Sequence, residues 1–181
     1  MNRDTDRPPL SRPLRVDEIR DGETGEINVT QPELAAIARL LDLKALNNLS
    51  FAYRLSEAGG GRLRLTGRLT ASVTQTCVVS LDPVDAVLDV PVEAEFWPQS
   101  LIEQFEQSAD DPGGPGQLDW PEPIVDGRID LGPVMYETLA TSLDPYPKRE
   151  GASFDWSQAA PEQGSAPSRG PFAALAGLKR R

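Results

Sequence analysis

The middle of the chain alternates between apolar and polar positions. Leu63, Leu65, Leu69, Ala71 and Val73 share one side of an extended segment, and Arg64, Thr66, Arg68, Thr70, Ser72, Thr74 and Thr76 share the other. A period of two with one polar face specifies an antiparallel sheet packed on one side against a core. Gly67 alone interrupts the apolar series, so a bend or bulge is predicted there. After a corner at Leu81-Asp82-Pro83 the alternation resumes. Ala86, Leu88, Val90, Val92, Ala94 and Phe96 point inward, and Asp85, Asp89, Glu93 and Glu95 point outward. An earlier strand is carried by Leu49, Phe51, Tyr53 and Leu55, and Gly59-Gly60-Gly61 supplies a permissive turn. These strands exceed the usual ~5–6 residues, which predicts a strongly twisted sheet or an open β-barrel.

On either side of the strands the period becomes helical. Thr30-Gln31-Pro32-Glu33 has the form of a capping box, and Leu34, Ile37, Ala38 and Leu41 follow at helical spacing. A helix from about Gln31 to Leu43 is predicted. Two short strands, Leu14 to Ile19 and Glu26 to Thr30, precede it, joined by a turn at Arg20-Asp21-Gly22. A second helix starts at Asp130, a good N-cap, with Pro133 in its first turn. Its buried stripe is Leu131, Val134, Met135, Thr138, Leu139 and Leu143, and it stops before Pro145 and Pro147. The fold class is α+β, an antiparallel sheet with two main helices over one face or end.

Pro and Gly divide what remains. They fill seven of sixteen positions from Ser108 to Pro123, which reads as a long acidic loop over about 108–123. They fill five of seventeen from Asp155 to Pro171, among Ser, Gln and Ala, which reads as a disordered linker. Beyond it Phe172, Leu175 and Leu178 recur at i, i+3 and i+6 ahead of Lys179, Arg180 and Arg181. That short C-terminal helix cannot hold alone in water. The expected organisation is one α+β domain over 1–150, a disordered linker over 151–170 and a short basic amphipathic segment over 171–181.

Composition narrows the chemistry. The chain has 181 residues, no His and one Cys. Mechanisms built on an imidazole base are excluded, as are an intrachain disulfide and a zinc site of Cys/His type. The net charge is -10, concentrated between Asp82 and Asp130, where thirteen acidic residues meet one basic residue, Arg128. Basic residues gather at Arg3, Arg7, Arg12, Arg15 and Arg20, at Arg62, Arg64 and Arg68, and at the C-terminus. A strongly acidic chain repels phosphates at long range, so no DNA partner is expected, although local basic patches still act within a Debye length of about 8 Å. No apolar run approaches the ~18 residues of a membrane helix, and the first residues lack the apolar stretch of a signal peptide. A cytoplasmic protein with no membrane partner is expected.

Candidate chemistry is sparse. Cys77 has no histidine to activate it, and a lone Cys is most often a small buried hydrophobe. The acidic stretch raises a glycosidase-like or hard-cation site, but Asp110-Asp111-Pro112-Gly113-Gly114 lacks the ligand spacing of a calcium loop. Glu93 and Glu95 share one solvent-facing side of a strand. No catalytic, cofactor or metal residue and no small-molecule substrate are expected. Phe172, Leu175, Leu178, Lys179, Arg180 and Arg181 are the candidate contact residues. They form either a segment that docks on its own sheet or a recognition helix that offers an apolar face to a groove and a basic end to RNA.

Three features occur in order: the corner Cys77…Leu81-Asp82-Pro83-Val84, the run Asp126-Gly127-Arg128-Ile129-Asp130-Leu131 leading into a helix, and the Phe172-to-Lys179 tail. Together they resemble the YceD family, the large ribosomal RNA subunit accumulation proteins of bacteria and plastids. Many relatives carry a second Cys three positions after the first; Ser80 stands there in this chain, so no metal or redox role of a Cys pair carries over. The resemblance implies a non-enzymatic role in accumulation of 23S ribosomal RNA, with ribosomal RNA or ribosomal proteins as partners. A protein-interaction adaptor unrelated to ribosomes, docking through the C-terminal segment, is the alternative, and a carboxylate-based enzyme is a third, weaker one.

Overall fold

The computed structural model describes residues 9–109 and 120–153. The alternating region forms three long strands, β3 (Ala45–Gly59), β4 (Arg62–Thr76) and β5 (Pro83–Pro98). β3 and β4 join through Gly59, Gly60 and Gly61, all at positive φ, which only glycine adopts without cost. With β2 (Glu23–Asn28) at one end and β6 (Glu122–Ile124) at the other, they make a five-stranded sheet in the order β2-β3-β4-β5-β6. Every pairing is antiparallel except that of β5 with β6, which matches Phe96 to Glu122 and Pro98 to Ile124 in parallel. A separate two-stranded ribbon pairs β1 (Pro13–Arg15) with β7 (Arg128–Asp130).

The protein is therefore α+β, as its patterning implies. The strand order is linear, and β2 and β6 share no pairing among the described residues, so the barrel alternative finds no support. The apolar row of β4 is sealed, with Leu63, Leu65, Leu69, Ala71 and Val73 at 0–5% exposure. Two helices join the same core: α1 (Gln31–Leu40), through Leu34 and Ile37, and α3 (Leu131–Ser142), through Met135 and Leu139. Full burial of each such side chain contributes about 1.5–3 kcal/mol.

Local departures from the sequence reading have identifiable causes. Gly67 makes no bulge: it stays in register, opposite Tyr53 on one side and Val92 on the other. A Cβ there would lie 2.6 Å from the Phe51 ring, so glycine serves close approach and not a bend. The first helix ends at Leu40, not Leu43, because Asp42 takes φ 53 and the Leu43 amide donates back to the Ala38 carbonyl at 2.8 Å. That is a left-handed C-terminal cap. The strand predicted over Leu14 to Ile19 keeps only Pro13–Arg15, after which Val16–Glu18 forms a 3-10 turn. The next strand starts earlier, at Glu23, and ends at Asn28, leaving Thr30 to cap α1. A third helix, α2 (Gln99–Ala109), and β6 replace the two ends of the predicted acidic loop, and residues 110–119 lie outside the described ones.

Candidate functional site

The corner between β4 and β5 is built around Cys77. Its amide donates to the Asp82 carbonyl at 2.8 Å, and the Leu81 amide donates to the Cys77 carbonyl at 3.0 Å, closing a tight loop. The Cys77 side chain is fully buried. Its sulfur accepts backbone amides from Ser80 at 3.3 Å and from Val79 and Arg149 at 3.4 Å. The Arg149 amide, helped by Ser80 and Val79, pulls the thiol down to about 6 against the upward push of burial. The sulfur is thus packed in the interior and at the same time faces three backbone donors, which favour the thiolate. Burial keeps that thiolate from acting as an accessible nucleophile.

The donor from Arg149 arrives because the chain after α3 folds back over this corner. Val78 donates to the Pro147 carbonyl at 2.9 Å, and Gln75 Nε2 donates to the Asp144 carbonyl at 2.9 Å. Arg149 Nη1 meets Asp82 Oδ2 at 2.9 Å. The Ser80 hydroxyl, with Arg149, holds the Asp82 carboxyl below its usual range. Leu81 sits at φ 62 and is 70% exposed, and Val78 and Tyr146, the latter next to Pro147 in sequence, are exposed as well. Pro83 and Val84 then open β5.

The second motif is a structural joint. Asp126 and Gly127, at φ 50 and 69, make the turn between Val125 and Arg128. Ile129 and Leu131 are buried in the core. The Asp130 carboxylate accepts from Gly132 N at 2.9 Å as the cap of α3, and from Ser11 Oγ at 2.6 Å and the Arg12 amide. It therefore ties the N-terminal segment to the start of α3, a role its capping position alone did not reveal. The two motifs do not converge: they lie at opposite ends of α3, whose twelve residues span roughly 18 Å.

The polar face of the sheet carries the electrostatic feature. The outward side of β5 presents Asp85, Asp89, Glu93 and Glu95 in one row. Arg68 meets Asp89 and Arg64 meets Glu95, each at 2.8 Å. Asp85 accepts the Thr74 hydroxyl at 2.6 Å, and neither it nor Glu93 has an ion-pair partner among the described residues. Among those residues no three or more Cys, Asp or Glu side chains gather as a metal-ion site, and no helix is long and apolar enough to cross a membrane. Phe172, Leu175, Leu178, Lys179, Arg180 and Arg181 lie outside the described residues.

The sequence model of one protein family, the large ribosomal RNA subunit accumulation protein YceD, matches residues 65–179. The chain belongs to the YceD family. The match begins within β4 and takes in the Cys77 corner, the acidic row of β5, the Asp130 joint and the tail through Lys179. Among curated proteins, the chain is also similar to Dynein axonemal heavy chain 1 of Mus musculus, 27% identical over 112 residues. That similarity covers 62% of this chain and 2% of the dynein chain. No solved structure matches.

Proposed function

We propose that this YceD protein supports accumulation of 23S ribosomal RNA and of the large subunit by binding its components, without transforming a substrate. The observation that carries this reading is the acidic row of β5, in which Asp85 and Glu93 are exposed without an ion-pair partner among the described residues and which falls inside the stretch that the family model matches. A surface of that sign attracts basic ribosomal proteins, because complementary charge speeds encounter and fixes orientation. The tail from Phe172 to Arg181 is the second contact. Its Lys179, Arg180 and Arg181 would meet RNA phosphates, and such contacts weaken steeply with salt. On this view residues 1–150 form the docking domain, 151–170 a tether and 171–181 the reaching segment, and the protein works in the cytoplasm with no cofactor.

The test is recovery of the tagged full chain from its own cells with and without ribonuclease, followed by identification of bound RNA and protein. Large-subunit RNA lost on ribonuclease treatment, with basic ribosomal proteins retained, is the expected result. Replacing Lys179, Arg180 and Arg181 by Ala should lower the RNA yield and flatten its salt dependence. Recovery free of every ribosomal component would overturn the reading.

A further inference from the structure

β5 is hydrogen-bonded to β4 from Pro83 to Phe96, but to β6 only from Phe96 to Pro98. Among the described residues no strand lies along the other edge of β5 before Phe96. The two faces of this edge differ. On the core side, Leu69, Ala71 and Val73 of β4 are at most 2% exposed, whereas their partners Val90, Leu88 and Ala86 on β5 are only partly covered. On the polar side stand Asp85, which takes the Thr74 hydroxyl, and Asp89, which pairs with Arg68, both exposed, with Val87 between them at 79% exposure. Pro83 and Pro91 bracket the stretch, and neither has an N–H to give to a further strand.

We propose that the edge of β5 from Val84 to Val90 takes up an extended segment of a partner protein as an added antiparallel or parallel strand, and that this segment alternates apolar with Lys or Arg residues. This inference rests on the reading above that the protein docks basic ribosomal proteins, and it names where and how. Strand addition supplies main-chain hydrogen bonds, and alternate side chains supply the selection. One row of the incoming strand would complete the half-covered row of Ala86, Leu88 and Val90. The other row would place one cation against Asp85, which has no ion-pair partner among the described residues, and another against Asp89, where it shares the carboxylate with Arg68, four residues away on the same side. An edge with no neighbour among the described residues is otherwise a hazard for self-association, and the two prolines and two aspartates limit it. The same devices leave it selective for a basic strand.

The experiment uses the full chain and a synthetic heptapeptide of alternating valine and lysine. Amide hydrogen exchange of the free chain should be fast at the outward-facing amides from Val84 to Val90, and the peptide should slow it there. An Asp85→Lys, Asp89→Lys double variant should bind the peptide at least tenfold more weakly, and so should wild-type protein given a peptide N-methylated at alternate backbone amides. The methylated peptide keeps the charge and loses the ladder, and it does not depend on how the variant folds. Equal binding of the methylated peptide, or protection confined to other residues, would overturn the proposal. Slow exchange of the edge in the free chain would also overturn it, because the chain's own residues would then cover it. So would protection of the same amides by a single-stranded RNA in place of the peptide. Failure here with ribosomal recovery intact strikes only the edge, whereas peptide binding in a protein that recovers no ribosomal component supports the edge and strikes the functional reading.

Discussion

Arg12 and Glu33 form a two-pronged ion pair, in which Arg12 Nη1 and Nη2 donate to Glu33 Oε1 and Oε2, each at 2.8 Å. The same carboxylate accepts the Thr30 amide at 3.0 Å and hydroxyl at 2.7 Å, so one side chain closes the capping box of α1 and pins the N-terminal segment. Arg12 above all, then Thr30, holds the Glu33 carboxyl down to about 2.

A carboxylate whose pKa falls on folding stabilises the protein above its unfolded value, and that stabilisation is lost as pH drops through the folded one. The wild type should therefore exceed Glu33→Gln in thermal stability at neutral pH, with the gap closing between about pH 4.5 and pH 2. The pair is a quarter to a third exposed, with side chains at 26% and 30%. Solvent screening therefore limits its contribution to about 1 kcal/mol, or roughly 2–4 °C in melting temperature for a chain of this size. A gap that persists at pH 2 would contradict the assignment.

Gly67→Ala should destabilise the fold by about 1–3 kcal/mol, since a methyl group there meets the Phe51 ring and the Ala52 carbonyl at 2.6 Å. Gly59→Ala, where a Cβ would meet nothing, tests backbone strain alone. Urea denaturation separates them: the Gly67 penalty should shrink when Phe51 is shortened to Leu, and the Gly59 penalty should not.

Asp130→Ala removes the α3 cap together with the acceptor of Ser11 and of the Arg12 amide. A loss of about 1–2 kcal/mol is expected in the urea midpoint. Partner binding should survive under native conditions, because Asp130 joins elements and does not face the acidic row. Abolished binding by a variant that remains folded would move this joint into the interface.

Cys77 gives a pH signature of its own. Its pKa falls from about 9 to about 6 on folding, so its stabilising effect is complete above pH 9 and is lost as pH falls through 6. The stability difference between wild type and Cys77→Ser should therefore grow from pH 6 to pH 9. Thiolate ultraviolet absorbance of the native protein should titrate near pH 6 while a bulky thiol reagent reacts only after unfolding. Fast native labelling would contradict the burial of the sulfur.

The sheet was legible because its signal is local: every second residue of β4 from Leu63 to Val73, Gly67 apart, declares its face, and Thr30 and Asp130 declare their helices by short-range capping. What lay hidden depends on distant partners. The amide that most lowers the Cys77 thiol comes from Arg149, 72 residues later. β6 pairs in parallel through Glu122-Pro123-Ile124, too short a run to carry a period, and it sits among prolines that read as loop. In α2, the start of the sequence gives Leu101 and Ile102 side by side, and only Ile102 is buried. The alternation of β5 fixed which face each residue takes, but not which of its edges has no strand beside it among the described residues. That is a property of topology.

Under the proposed function, this chain acts on the large ribosomal subunit by docking to its components. Depleting the protein from its own cells and measuring the ratio of 23S to small-subunit ribosomal RNA tests that claim most directly, with rescue by the wild-type chain and by the Asp85→Lys, Asp89→Lys variant. The expected result is a fall in the ratio that the wild type restores and the variant does not. An unchanged ratio on depletion would contradict the account.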